Sequence, residues 1–90
     1  MNEEMSVPHT LFMEDRKRIV LTGVKDILSF DEETVSLLTV MGKAIIRGRD
    51  IRIESFGTES SDMVIEGSFD AVVYLNDSGA KNTILRRLFK

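Results

Sequence analysis

Asp50-Ile51-Arg52-Ile53-Glu54 carries an apolar residue at every second position and a charge at each position between. Successive side chains of a strand point to opposite faces, so Ile51 and Ile53 look one way while the three charged residues look the other. One face is buried and one is in water, as in an antiparallel sheet. Arg18-Ile19-Val20-Leu21-Thr22 repeats the rhythm, with Ile19 and Leu21 opposed to Arg18 and Thr22. Short apolar and β-branched segments of this kind predict strands at 10–14, 17–22, 25–30, 34–40, 43–48, 50–56, 63–67 and 69–75.

Turn chemistry separates these segments. Gly23 closes one and Asp31-Glu32-Glu33 the next, with the Asp31 carboxylate expected to bond its own downstream backbone. Met41-Gly42 fits a two-residue hairpin turn, Gly48-Arg49-Asp50 a further bend, and residues 57–62 the longest polar break. Parallel crossovers need a dozen or more residues, so connections this short predict sequential neighbours. The expected fold is therefore all-β: an antiparallel β-meander forming a small sandwich or partly closed barrel. A polar lead at 1–9, a β domain at 10–77 and a basic tail at 78–90 complete the organisation.

Four segments depart from clean alternation through adjacent apolar pairs: Ile27-Leu28, Leu37-Leu38, Ile45-Ile46 and Val72-Val73. Such strands place an apolar side chain on both faces. Two readings fit: the sheet curls and collects apolar residues at its rim, or its second face is covered by another copy or a partner. On the second reading Leu38, Val40, Val72 and Tyr74 are candidate self-association residues.

The tail has a different period. Ile84, Leu85, Leu88 and Phe89 fall on one stripe of a short amphipathic helix, while Lys81, Arg86, Arg87 and Lys90 supply four positive charges. Eleven residues make a marginal helix in water, so the stripe needs a surface. Docking onto the open sheet face is one expectation. The other is a partner or peripheral membrane contact through Ile84, Leu85, Arg86, Arg87, Leu88 and Phe89, since cations on an amphipathic helix favour anionic surfaces.

Ninety residues with 42% apolar content make one small domain with a thin margin of stability. A net charge of −3 argues against a nucleic-acid binder, which needs a net basic face. The absence of cysteine excludes disulfides, thiolate catalysis and cysteine-based zinc sites. No apolar run approaches the roughly 20 residues that span a bilayer, and the opening Met1-Asn2-Glu3-Glu4-Met5 lacks the character of a signal peptide.

Catalytic and metal constellations are poorly represented. The single histidine, His9, sits beside Pro8 in the polar lead and reads as a solvated loop residue. The six glycines never combine into a phosphate-cradling loop. Asp31-Glu32-Glu33 lacks the spacing of a calcium loop and reads as a turn, as does Asn76-Asp77-Ser78 despite matching a glycosylation sequon. Lys43, Arg47, Arg49 and Arg52 read as a surface salt-bridge network in preference to an anion site. No catalytic residue, metal or cofactor is expected.

Longer strings carry a resemblance. His9-Thr10-Leu11-Phe12-Met13-Glu14-Asp15-Arg16-Lys17-Arg18, Leu21-Thr22-Gly23-Val24 and Ser29-Phe30-Asp31-Glu32-Glu33-Thr34-Val35 resemble the YabP/YqfC sporulation family, and the YabP type more than the YqfC type. Met41-Gly42, Ile46-Arg47-Gly48-Arg49-Asp50, Ile65-Glu66-Gly67 and Leu88-Phe89-Lys90 extend it over residues 9–90. The resemblance implies a cytoplasmic protein of the mother cell of a sporulating Gram-positive bacterium, linked to spore-envelope assembly. It supplies no catalytic residues. A membrane-embedded sporulation protein becomes a plausible partner, with at most peripheral contact to the forespore membrane. The leading expectation is a non-enzymatic, self-associating structural or scaffolding protein of the spore coat or cortex. The alternatives are a soluble adaptor using the basic tail and, more weakly, a ligand-binding β-barrel sensor.

Overall fold

The computed structural model describes residues 8–57 and 59–75. Six strands form one antiparallel sheet: β1 (Leu11–Glu14), β2 (Arg18–Leu21), β3 (Val24–Phe30), β4 (Thr34–Thr39), β5 (Gly42–Gly57) and β6 (Asp62–Leu75). Their order across the sheet is β1-β2-β6-β5-β4-β3. The all-β antiparallel expectation holds. The tail helix expected at 78–90 lies outside the described residues.

Three expectations about the strands need correction. The segments at 43–48 and 50–56 are one strand, β5, and those at 63–67 and 69–75 are one strand, β6. Their glycines mark a bend with irregular register between Arg47 and Arg52, and pairing resumes on the far side of it. A bulge bends a strand without ending it. The β4–β5 turn is Val40-Met41, one residue earlier than expected, with Thr39 opposite Gly42. Nor is the sheet a plain meander: β3 to β6 follow one another, but β2 pairs with β6.

Gly23 explains that departure. Its φ of 71° turns the chain out of the line of β2, and a side chain there would place its Cβ 2.6 Å from the Pro8 carbonyl oxygen. β3 therefore leaves β2 and shares no ladder with it. Among the described residues the end strands β1 and β3 do not pair, so the sheet stays open where a sandwich or partly closed barrel was expected.

The long β5–β6 hairpin carries two wings. Beyond the bend, residues 52–57 pair with 62–66, and β2 and β1 extend that wing. Before it, residues 43–47 pair with 71–75, and β4 and β3 extend the other. At the bend the strands approach closely, because a Cβ on Gly48 would collide with the backbone oxygen of Ser68. Two hairpin turns satisfy the amides that the bend frees. Gly48 and Ile51 donate to Glu33 O and Glu32 O at 3.0 and 2.9 Å, and Gly67 and Phe69 donate to Lys17 O and Arg16 O at 3.0 and 2.8 Å.

Alternation then places the core. Ile19, Leu21, Met63 and Ile65 from one wing meet Val24, Val35, Leu37 and Ile46 from the other, with Ile51 and Phe69 beside the bend. Thr39 is the one polar residue among the buried side chains of the described residues. Its hydroxyl donates to Gly42 O at 2.7 Å and accepts from Met41 N at 3.0 Å, closing the β4–β5 turn. Asp31 Oδ1 accepts from Glu33 N and Thr34 N at 2.7 and 2.8 Å, the turn bonding expected of it.

Candidate functional site

The doubled apolar pairs divide between the two faces of the sheet. Leu37 and Ile46 are core residues, Ile27 and Val72 pack against the core, and Leu38 and Ile45 are half-buried on the opposite face. Of the candidate association residues, Leu38 lies on that outer face and Val40 is exposed in the β4–β5 turn. Val72 lies opposite Ile46, and Tyr74 lies opposite Ala44, both on the core side. The four therefore do not share one face. Ile84, Leu85, Arg86, Arg87, Leu88 and Phe89 lie outside the described residues.

Tyr74 has a partner that no local pattern announces. His9, 65 positions earlier, holds the Tyr74 hydroxyl at 2.6 Å through Nε2 and the Thr22 carbonyl oxygen at 2.7 Å through Nδ1. The carbonyl can only accept, which assigns the proton to Nδ1 and leaves Nε2 of the neutral ring to accept from the phenol. The rings meet edge to face at 5.4 Å. Around them Thr22 Oγ1 donates to Pro8 O and accepts from Thr10 N, so the lead into β1 is fastened at the end of β2. With both nitrogens occupied and no nucleophile on either, the histidine acts as a fastener between β1, β2 and the end of β6.

Burial raises the Tyr74 phenol above its ordinary value of 10.0. Folding thus favours the protonated phenol. That contribution is fully present below about pH 10, where both states hold the proton, and is lost as pH rises through the higher folded value. Tyr74 is the only tyrosine and tryptophan is absent, so phenolate absorbance reads this one group. The native protein is expected to titrate at higher pH than the urea-unfolded protein. An equal or lower native midpoint would contradict the burial.

The outer face of the β1–β2–β6–β5 wing is ordered in rows. Glu14, Arg18, Glu66 and Arg52 are register partners across four strands, so charge alternates from one edge inward. Glu66 accepts from Arg18 at 3.0 Å and from Arg52 at 3.4 Å. The salt-bridge reading of Arg52 is therefore what the structure shows. Arg18, Arg52 and Glu66, with Lys17, Asp50 and Gly67, line an open cleft of about 410 Å³. Its two arginines already share a carboxylate, which leaves the cleft little net attraction for an anion.

The neighbouring row is Phe12, Val20 and Val64, ending on Ser55. Phe12 is 62% exposed on edge strand β1, and Leu28 and Phe30 are each 45% exposed on edge strand β3. Among the described residues, three of the exposed large apolar side chains, Phe12, Leu28 and Phe30, therefore lie on the two open edges, while Val40 and Met41 lie in the β4–β5 turn and Tyr74 near the end of β6. Edge position depends on long-range pairing, so sequence alone could not distinguish Phe12 from any other strand phenylalanine.

Among the described residues no group of three or more His, Asp or Glu side chains is placed to hold a metal ion, and no helix is long and apolar enough to cross a membrane. The chain matches the YabP family model over residues 5–81. It is also similar to the Spore protein YabP of Bacillus subtilis (strain 168), with 36% identity over 74 residues covering 80% of this chain and 74% of that protein. The matched span contains all six strands, both edge rows and the His9–Tyr74 fastening. On that match the chain belongs to the YabP family.

Proposed function

We propose that this protein is a non-enzymatic, self-associating structural component of the spore envelope, acting in coat or cortex assembly. Support for the setting comes from the family and from a relative whose name is spore protein. One observation carries the self-association: the sheet ends in two strands, β1 and β3, that have a neighbour on one side only among the described residues, and both expose large apolar side chains. An open edge offers unpaired backbone donors and acceptors to another chain, and proteins that stay monomeric usually blunt or cover such edges. The protein would work on the mother-cell side of the forespore membrane, with at most peripheral contact to lipid, beside a membrane-embedded sporulation protein.

Sedimentation equilibrium at tens of micromolar tests this. The expected result is a concentration-dependent mass above the 10.2 kDa of one chain. A strict monomer throughout that range would remove the scaffold reading and leave adaptor binding through the basic tail as the better account.

A further inference from the structure

We infer that two copies join through β1, antiparallel to itself, about a two-fold axis at Phe12; this rests on the self-association reading and specifies its interface. The backbone supplies the first argument. Thr22 N donates to Thr10 O at 3.0 Å, so Thr10 is turned toward β2. Backbone groups alternate in direction along a strand, which turns Phe12 and Glu14 toward β2 as well and leaves the N–H and C=O of Leu11 and Met13 pointing outward. Leu11 and Met13 flank Phe12 symmetrically. A second copy rotated about Phe12 would set Leu11 opposite Met13 of that copy and Met13 opposite Leu11. All four outward N–H groups would then find carbonyls.

Side chains agree with that register. Leu11 and Met13 already pack against the core, and each would gain an apolar neighbour on the inner face. Phe12 would meet Phe12 of the second copy on the outer face, in the closer type of cross-strand pair. The apolar row Val64–Val20–Phe12 would run on into its own image. Glu14, beside Arg18 in its own chain, would face Thr10 of the second copy, with no like charges opposed. Shifting the axis to Met13 would instead set Phe12 against Glu14 and bring Asp15 into the ladder, although its φ of 53° already places it in the turn.

β3 is the poorer edge for pairing. Its register against β4 shifts twice, between Val24 and Asp26 and between Ile27 and Ser29, and Lys25 and Asp26 are exposed along it. The Asp26 carboxylate also accepts from Ile27 N at 2.9 Å. Bulges and edge charges are the devices that keep an edge from pairing. β1 carries no bulge, no proline and no charge before Glu14.

The chain has no cysteine, so one can be placed at will. At the two-fold axis the Phe12 Cα atoms would lie about 4.5 Å apart, within disulfide reach. Phe12→Cys is expected to oxidise to a linked dimer with the circular dichroism of the wild type, while Ser29→Cys on β3 stays unlinked. In sedimentation Phe12→Lys should weaken association at least tenfold and Ser29→Lys leave it unchanged. Phe12 is mostly exposed, so its substitution spares the folded monomer. Linkage of the Ser29→Cys variant but not of Phe12→Cys, or wild-type association by folded Phe12→Lys, would overturn the β1 interface and leave self-association standing. A monomeric wild type would overturn both.

Discussion

Replacing Phe69 by alanine is expected to lower the free energy of unfolding by about 3–5 kcal/mol, the range for deleting a large buried aromatic side chain. Phe69 is 1% exposed and stands beside the bend of β6, in the core cluster that joins the two wings. A 90-residue domain has about 5–13 kcal/mol in total, so the variant should lose a large part of it. Urea unfolding followed by circular dichroism reads the change as a lower midpoint at unchanged slope. A loss under about 1 kcal/mol would mean that the site collapses around the deletion, contrary to a core pinned at the bend.

Gly48→Ala is expected to cost about 3 kcal/mol or more, the upper part of the overpacking range, although it adds a single methyl group. The new Cβ would fall on the carbonyl oxygen of Ser68, with Phe69 Cα 3.0 Å away. Both are backbone of the neighbouring strand, so relief requires the hairpin itself to open. Gly57 supplies the control. A Cβ there meets Ser60 Oγ at 2.5 Å, the end of a side chain that can rotate away, so Gly57→Ala should cost under about 1 kcal/mol. Equal melting temperatures for the two variants would contradict the close approach at Gly48.

What could be read from the sequence was what local chemistry decides. Ile51 and Ile53, or Ile19 and Leu21, alternate with polar neighbours, and every predicted segment lies largely within an observed strand. Asp31 was legible because a turn aspartate bonds within its own few residues. Gly48 reads as a break because glycine permits both a turn and a close approach, and only the partner strand decides which. The β2–β6 ladder left no trace in either segment, since pairing between Ile19 and Ile65 needs nothing from the residues between them. The same holds for the candidate site. Phe12 is an edge residue because β2 pairs with β6, and His9 is a fastener because Tyr74 comes to it from 65 positions away.

The pairing of β2 with β6 also orders events in time. Strands β3 to β6 are chain neighbours and can zip together as successive hairpins, whereas β1 and β2 have no place until residues 63–66 exist. Ribosomes deliver the N-terminal strands first, so Ile19 and Leu21 must wait, uncovered, for Ile65 and Met63. The first hairpin made is the last to be seated.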